Sequence, residues 1–185
     1  MDAYFFNLIN HLPHPQWADS LVLLLDFIGE KSVVLGSALL VFMAAFIFRK
    51  RKIWWASLFI LLTFLLVAMT AFFLKKTIDR PRPDKVYEDV YFVGRNQSFQ
   101  LMKGEGSSFP SGHASFYGAI GFFMIFYFKK YRPFWVFVII FGGLARVYQG
   151  VHYPSDVLGG WLIAFFYSWA MSFACFCLEK KLEYT

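Results

Sequence analysis

Three short stretches of this 185-residue chain hold residue types that can act on an anion. The first is Lys75-Lys76-Thr77-Ile78-Asp79-Arg80-Pro81-Arg82-Pro83. Arginine offers a planar fork of donors matched to phosphate oxygens, and lysine a compact point charge. The second is Ser107-Ser108-Phe109-Pro110-Ser111-Gly112-His113. Ser111 is placed as a helix N-cap, the free backbone N–H groups of a helix start attract anions, and Gly112 lets a ligand approach the backbone. His113 can give or take a proton near neutral pH. The third runs from Arg146 through His152 to Asp156. His152 and Asp156 share one face of a helical turn, so their side chains can hydrogen-bond. A carboxylate that holds one ring nitrogen fixes the tautomer and leaves the other nitrogen free to attack. Singly, each stretch has a plainer interpretation: headgroup anchors at a helix end, an ordinary capped helix, a structural histidine. A His–Asp pair beside an arginine, with two more polar clusters, points to chemistry.

These clusters must be held by membrane helices. The chain is 58% hydrophobic and 16% charged, against roughly 45–50% and 25% for a soluble domain, and its mean hydropathy is +0.51. Ile53 to Leu74 and Val157 to Leu178 carry no charge, and a helix that crosses the hydrocarbon core needs about 20 apolar residues. Five spans are predicted, over about 31–48, 53–74, 111–128, 134–148 and 154–178. The fourth is the shortest and needs Arg146 within the protein or at the interface. Residues 1–30 hold the apolar run Leu21 to Leu25 between Asp19 and Asp26, broken by Pro13, Pro15 and Gly29. They are predicted as an amphipathic segment lying in the interface, with a sixth span as the alternative. The expected fold is thus an all-α integral membrane bundle over residues 31–185, with an outer loop at 77–109. The pairs Gly118/Gly121, Gly142/Gly143 and Gly159/Gly160 are expected to let helices pack closely.

Orientation follows from the short loops. Arg49-Lys50-Arg51-Lys52, the group Lys129, Lys130 and Arg132, and the pair Lys180-Lys181 all fall on one side of five spans, which the positive-inside bias assigns to the cytoplasm. All three polar clusters then fall on the other face. The loop between Thr77 and Phe109 has five acidic and five basic residues and no positive bias.

Several classes are disfavoured. The net charge of +6 sits at the ends of apolar runs, so nucleic acid is not the expected partner. Cys175 and Cys177 point to different sides of a helix and read as packing residues. Met1-Asp2-Ala3-Tyr4 lacks the basic start of a cleavable signal peptide. No H-E-x-x-H or paired-cysteine spacing is present, and the cations around the histidines oppose a bound metal ion. Neither a metal nor another cofactor is expected.

Together the clusters resemble the signature of the type 2 phosphatidic acid phosphatase superfamily. Its pattern is K-x6-R-P, then P-S-G-H, then S-R-x5-H-x3-D. Lys75 with Arg82-Pro83, Pro110 to His113, and Arg146, His152 and Asp156 match it at spacing, and Ala145 departs from the serine. The resemblance implies that His152 attacks phosphorus to form a phosphohistidine and that Asp156 orients it. It implies that His113 protonates the leaving oxygen and then activates water, while Lys75, Arg82, Arg146, Ser111 and the Gly112 N–H hold the phosphoryl oxygens. Phosphoryl transfer relies mainly on positioning and charge neutralisation, in keeping with such a site. The implied substrate is a lipid phosphate or pyrophosphate in a bacterial inner membrane, approached from the periplasmic or exterior face. Candidates are undecaprenyl pyrophosphate, phosphatidylglycerophosphate, phosphatidic acid and the 1-phosphate of lipid A.

Arg80 and Lys76 fall outside the family pattern and are expected to steer anionic lipid or touch a headgroup. Tyr87, Tyr91, Phe92, Phe99 and Met102 are expected to rest in the interface, with a cover over the pocket as the alternative. His11 and His14 have no partner legible in sequence. Rival functions are hydrolysis of a soluble phosphate ester, haloperoxidase chemistry with vanadate in the same pocket, and a lipid transporter or scaffold. The spans oppose the peroxidase. The lack of evident inverted halves opposes the transporter, which also leaves the His–Asp pair unexplained.

Overall fold

The computed structural model describes residues 1–94, 106–129 and 131–183. Among these residues there are eight helices and no strand: α1 (Asp2–Asn10), α2 (Gln16–Ile28), α3 (Lys31–Ile47), α4 (Arg51–Ile78), α5 (Pro83–Val86), α6 (Gly112–Tyr127), α7 (Arg132–Tyr148) and α8 (Pro154–Glu183). Helices α3, α4, α6, α7 and α8 correspond to the five predicted spans within a few residues at each end. Two stretches, Arg51–Val86 and Pro154–Leu182, are long and apolar enough to cross a membrane, and α2 with α3 adds a third if the pair is one span bent by 57°. Helices α6 and α7, of 16 and 17 residues, reach only about 24–26 Å at 1.5 Å per residue, short of a hydrocarbon core about 30 Å thick.

Helix α6 is the centre of the bundle, packed on α8, α7 and α4. Val34, Phe64, Val67, Ala119 and Ala164 form one buried cluster that joins α3, α4, α6 and α8. Small residues permit this approach: a Cβ on Gly142 would lie 2.4 Å from the Tyr117 ring, and one on Gly160 would lie 2.7 Å from Ser115 Oγ. The outward faces are apolar. Leu158, Leu162, Phe166, Trp169, Phe173 and Phe176 are all exposed along α8, as expected of a helix turned toward lipid.

The ends of the helices gather chemistry at one end of the bundle. Helix α4 stops at Asp79, which takes a left-handed conformation (φ 41°), followed by Pro81 and Pro83, which cannot continue it. Ser111 caps α6 by accepting from the Ala114 N–H, and its own N–H donates to the Asp156 carbonyl at 3.0 Å. Between α7 and α8 the chain reverses at Gly150, whose φ of 80° suits glycine; a Cβ there would meet Tyr91 O at 2.7 Å. The opposite end is also tied together. Tyr127 at the end of α6 donates to Glu179 of α8 at 2.5 Å, and Lys52 of α4 lies over the Tyr127 ring. Two of the cationic loop groups therefore share an end with the foot of α8; Lys130 lies outside the described residues.

Residues 1–30, expected as an interfacial segment, hold the two helices α1 and α2, and both pack on the polar end. Asn10 is fully buried. Its Nδ2 donates to Tyr91 O and Tyr148 O, and its Oδ1 accepts from Tyr91 N. His14 stacks on Tyr91 at 3.6 Å between ring centroids and lies 3.0 Å from Asp19 Oδ1. His11 lies 3.7 Å from Asp89. Tyr87 packs on Phe6 and Tyr153. Tyr87 and Tyr91 therefore clasp the N-terminal segment. Phe99 and Met102 lie outside the described residues.

Candidate active site

The ends of α4, α6, α7 and α8 bring the three polar clusters together. His152 sits in the turn before α8, and Asp156 in its first turn. Both are buried, Asp156 completely. His152 Nδ1 is 3.6 Å from Asp156 Oδ2, close enough to pair but beyond a formed hydrogen bond. Ser108 lies between them. Its hydroxyl donates to Asp156 Oδ2, and its oxygen is 3.4 Å from His152 Nδ1. The Tyr153 N–H also donates to Asp156 Oδ2, at 2.9 Å. Burial holds the His152 pKa well below its ordinary value; the Arg82 and Arg146 cations act in the same direction and Asp156 opposes them. The ring is therefore kept neutral, the form in which imidazole can attack.

Arg80 holds the second oxygen of Asp156. Its Nη1 donates to Asp156 Oδ1 at 2.7 Å and to Ser155 Oγ at 2.6 Å. Its Nη2 donates to Asp2 Oδ2 at 2.6 Å, and the guanidinium lies 4.0 Å over the Tyr153 ring. Arg80 is thus tied to internal partners on both terminal guanidinium nitrogens. Lys76 lies along its own helix over Phe72.

The other cations bracket the site. Lys75 Nζ donates to Ser107 O at 2.8 Å. Arg82 Nη1 donates to Val151 O, beside His152, at 3.2 Å. Arg146 is buried; its Nη1 reaches Asp26 Oδ1 and Gln149 Oε1, while its Nε is buried with no hydrogen-bond partner among the described residues. A Cβ on Gly112 would meet nothing within 4 Å, so the space beside this helix start is open. Ala145, in place of the family serine, is buried. Among the described residues no group of three or more His, Cys, Asp or Glu side chains could hold a metal ion.

His113, on the first turn of α6, meets Asp26 at the end of α2: its Nε2 is 3.1 Å from Asp26 O and 3.3 Å from Asp26 Oδ1. In the sequence Asp26 only bounds an apolar run, and nothing there marks it for a role. Ser108 and Arg80 were already inside the polar clusters, but nothing in their spacing shows that they converge on Asp156.

Residues 56–176 match the family model described as the PAP2 superfamily. The chain belongs to this superfamily. Phosphatidylglycerophosphatase B of Bacillus subtilis is 31% identical over 169 residues, 81% of this chain and 73% of the relative. Lipid A 1-phosphatase of Rhizobium johnstonii is 34% identical over 108 residues, 57% of this chain and 42% of the relative. The chain thus spans less than half the length of that second protein. The crystal structure of Aquifex aeolicus LpxE superposes with a TM-score of 0.71 at 24% identity, over 92% of this chain and 93% of that one. A transmembrane PAP2 type phosphatidylglycerolphosphate phosphatase from Bacillus subtilis superposes with a TM-score of 0.69 at 24% identity, over 97% and 85%. With its apolar helices, this PAP2 superfamily member is an all-α integral membrane protein.

Proposed function

We propose that this PAP2 protein is a lipid phosphatase that hydrolyses a lipid phosphate or pyrophosphate at the extracytoplasmic face of a bacterial inner membrane. The observation that carries the proposal is one constellation: a buried histidine, backed by a buried carboxylate, between guanidiniums at an open helix start. His152 Nδ1 faces Ser108 and Asp156, which leaves Nε2 to attack phosphorus. The phosphorus–oxygen bond breaks as the P–N bond forms, and His113 supplies the proton to the departing oxygen. Water then attacks the phosphohistidine, gives its proton to His113 and releases phosphate and free His152. Lys75, Arg82, Arg146, Ser111 and the Gly112 N–H neutralise and orient the phosphoryl oxygens, where phosphoryl transfer gains most of its rate. The Arg146 Nε–H, without a hydrogen-bond partner among the described residues, is a donor that such an oxygen satisfies. A site at the end of a bundle with apolar outer faces suits a substrate whose tails stay in lipid. The relatives' names support lipid A phosphate and phosphatidylglycerophosphate as substrates, beside undecaprenyl pyrophosphate and phosphatidic acid.

The test is phosphate release by detergent-purified protein from a panel of these four lipids, with glucose 6-phosphate as the soluble comparison and a chelator present throughout. Release from at least one lipid, unaffected by chelator, is expected. His152→Ala should lose about 10⁴-fold or more, the scale set by removal of a nucleophile. Release retained by that variant overturns the assignment of His152, and preference for glucose 6-phosphate overturns the lipid class. For orientation, single cysteines at Lys50 and Lys85 in a Cys175→Ser, Cys177→Ser background should label from opposite sides. Labelling from one side refutes the topology.

A further inference from the structure

We propose that Asp26 is a positioning residue for the acid–base histidine, so that the site contains two histidine–carboxylate dyads rather than one. The inference rests on the phosphatase proposed above. It begins with the end of α2, which is clasped onto the first two turns of α6. Tyr117 donates its hydroxyl to Leu25 O at 2.5 Å, and His113 Nε2 lies 3.1 Å from Asp26 O and 3.3 Å from Asp26 Oδ1. The backbone at Gly29 closes the other side: a Cβ there would fall 2.8 Å from His113 Cδ2 and 2.6 Å from Tyr117 Cε2. The His113 ring is thus held between Asp26 at the end of α2 and the Gly29 backbone that follows it.

The partners decide the tautomer. A carbonyl oxygen and a carboxylate oxygen only accept hydrogen bonds. With both at Nε2, that nitrogen carries hydrogen and donates. Nδ1 is then the nitrogen that exchanges a proton with substrate. It delivers the proton to the ester oxygen as the phosphorus–oxygen bond breaks, and takes one from water as the P–N bond breaks.

The charges decide why a carboxylate is needed. Asp26 of α2 meets His113 directly, and the charges near enough to act on the ring are Asp26 and the cations Arg146 of α7 and Arg82 of the segment before α5. Two of these are cations, and like charges disfavour an imidazolium. Asp26 is the anion placed to offset them. It also meets Arg146 Nη1, but that nitrogen has Gln149 Oε1 as a second partner, and Asp26→Asn keeps an acceptor oxygen for it. Asp26 thus stands to His113 as Asp156 stands to His152, with α2 supplying the second carboxylate.

The experiment exploits leaving-group chemistry. A general acid matters for a poor leaving group and little for a good one. kcat/KM covers the steps up to phosphoryl transfer, so it is measured for p-nitrophenyl phosphate and for phosphatidic acid in mixed micelles. Wild type, Asp26→Asn, His113→Ala and the double variant are compared. Asp26→Asn should lose about 10- to 100-fold on phosphatidic acid, part of the roughly 10²–10⁴-fold that acid–base catalysis contributes, and little on p-nitrophenyl phosphate. Retained p-nitrophenyl phosphate turnover also shows that the variant is folded. His113→Ala should show the same pattern more strongly, and the double variant should be no worse than His113→Ala alone. Equal loss on both substrates, or full additivity with His113→Ala, overturns the proposal. So does a lower KM at unchanged kcat, which would make Asp26 a competitor for phosphate. If wild type releases no phosphate from either substrate, the phosphatase reading itself has failed. If wild type is active and Asp26→Asn matches it throughout, only the role of Asp26 has.

Discussion

Arg80→Ala removes the guanidinium that joins α1 to the carboxylate behind His152. Its fork makes charged bonds to Asp156 Oδ1 at 2.7 Å and Asp2 Oδ2 at 2.6 Å, and a third bond to Ser155 Oγ. Hydrogen bonds to charged groups contribute about 1.5–3 kcal/mol each. Arg80 and Asp2 are 27% and 29% exposed, so solvent screening puts their pair at the low end. Two charged bonds at about 1.5 kcal/mol give about 3 kcal/mol, or roughly 6–12 °C in Tm at about 2–4 °C per kcal/mol for a domain of this size. Helix α1 is not wholly released, because Asp2 also accepts from the Ser155 N–H and hydroxyl. Asp156 keeps Ser108 and the Tyr153 N–H on Oδ2, so phosphate release should fall without vanishing. The assay is thermal unfolding in detergent of Arg80→Ala, Asp2→Asn and the double variant. Asp2→Asn should cost about 1.5 kcal/mol in wild type and clearly less in the Arg80→Ala background, since residues that share a bond do not add. Full additivity refutes the bridge.

Two further outcomes are expected. Burial depresses the folded-state pKa of His152 below its unfolded value near 6.5, so the unfolded chain takes up the extra proton first as pH falls. That contribution to stability is whole above about pH 6.5 and declines below it; His152→Gln should flatten the fall in Tm between about pH 7 and 5, and an unchanged slope contradicts the burial argument. Gly160→Ala places a Cβ 2.7 Å from Ser115 Oγ and 2.8 Å from Ser111 O. The start of α6 must then shift off α8, at about 1–3 kcal/mol, and activity should fall together with Tm, whereas a wild-type Tm and rate would show that the helices give way freely.

Much of this protein is legible along the chain. Uncharged runs and proline breaks mark the helices that build the bundle, because a span must satisfy its own backbone and hide it from lipid. The residues to which the proposed function gives the phosphoryl group stand in short stretches at helix ends, where side-chain type and spacing are local properties. Tertiary structure decided what lies across those ends. Asp26 is 87 positions from His113 and 120 from Arg146, and Asp2 is 78 from Arg80. Ser108, between His152 and Asp156, is 44 positions from the one and 48 from the other. No periodicity or spacing encodes such pairs; they arise when four helix ends and the folded N-terminal helices exclude water from one space. In that space, a buried charge without a partner is too costly to leave alone.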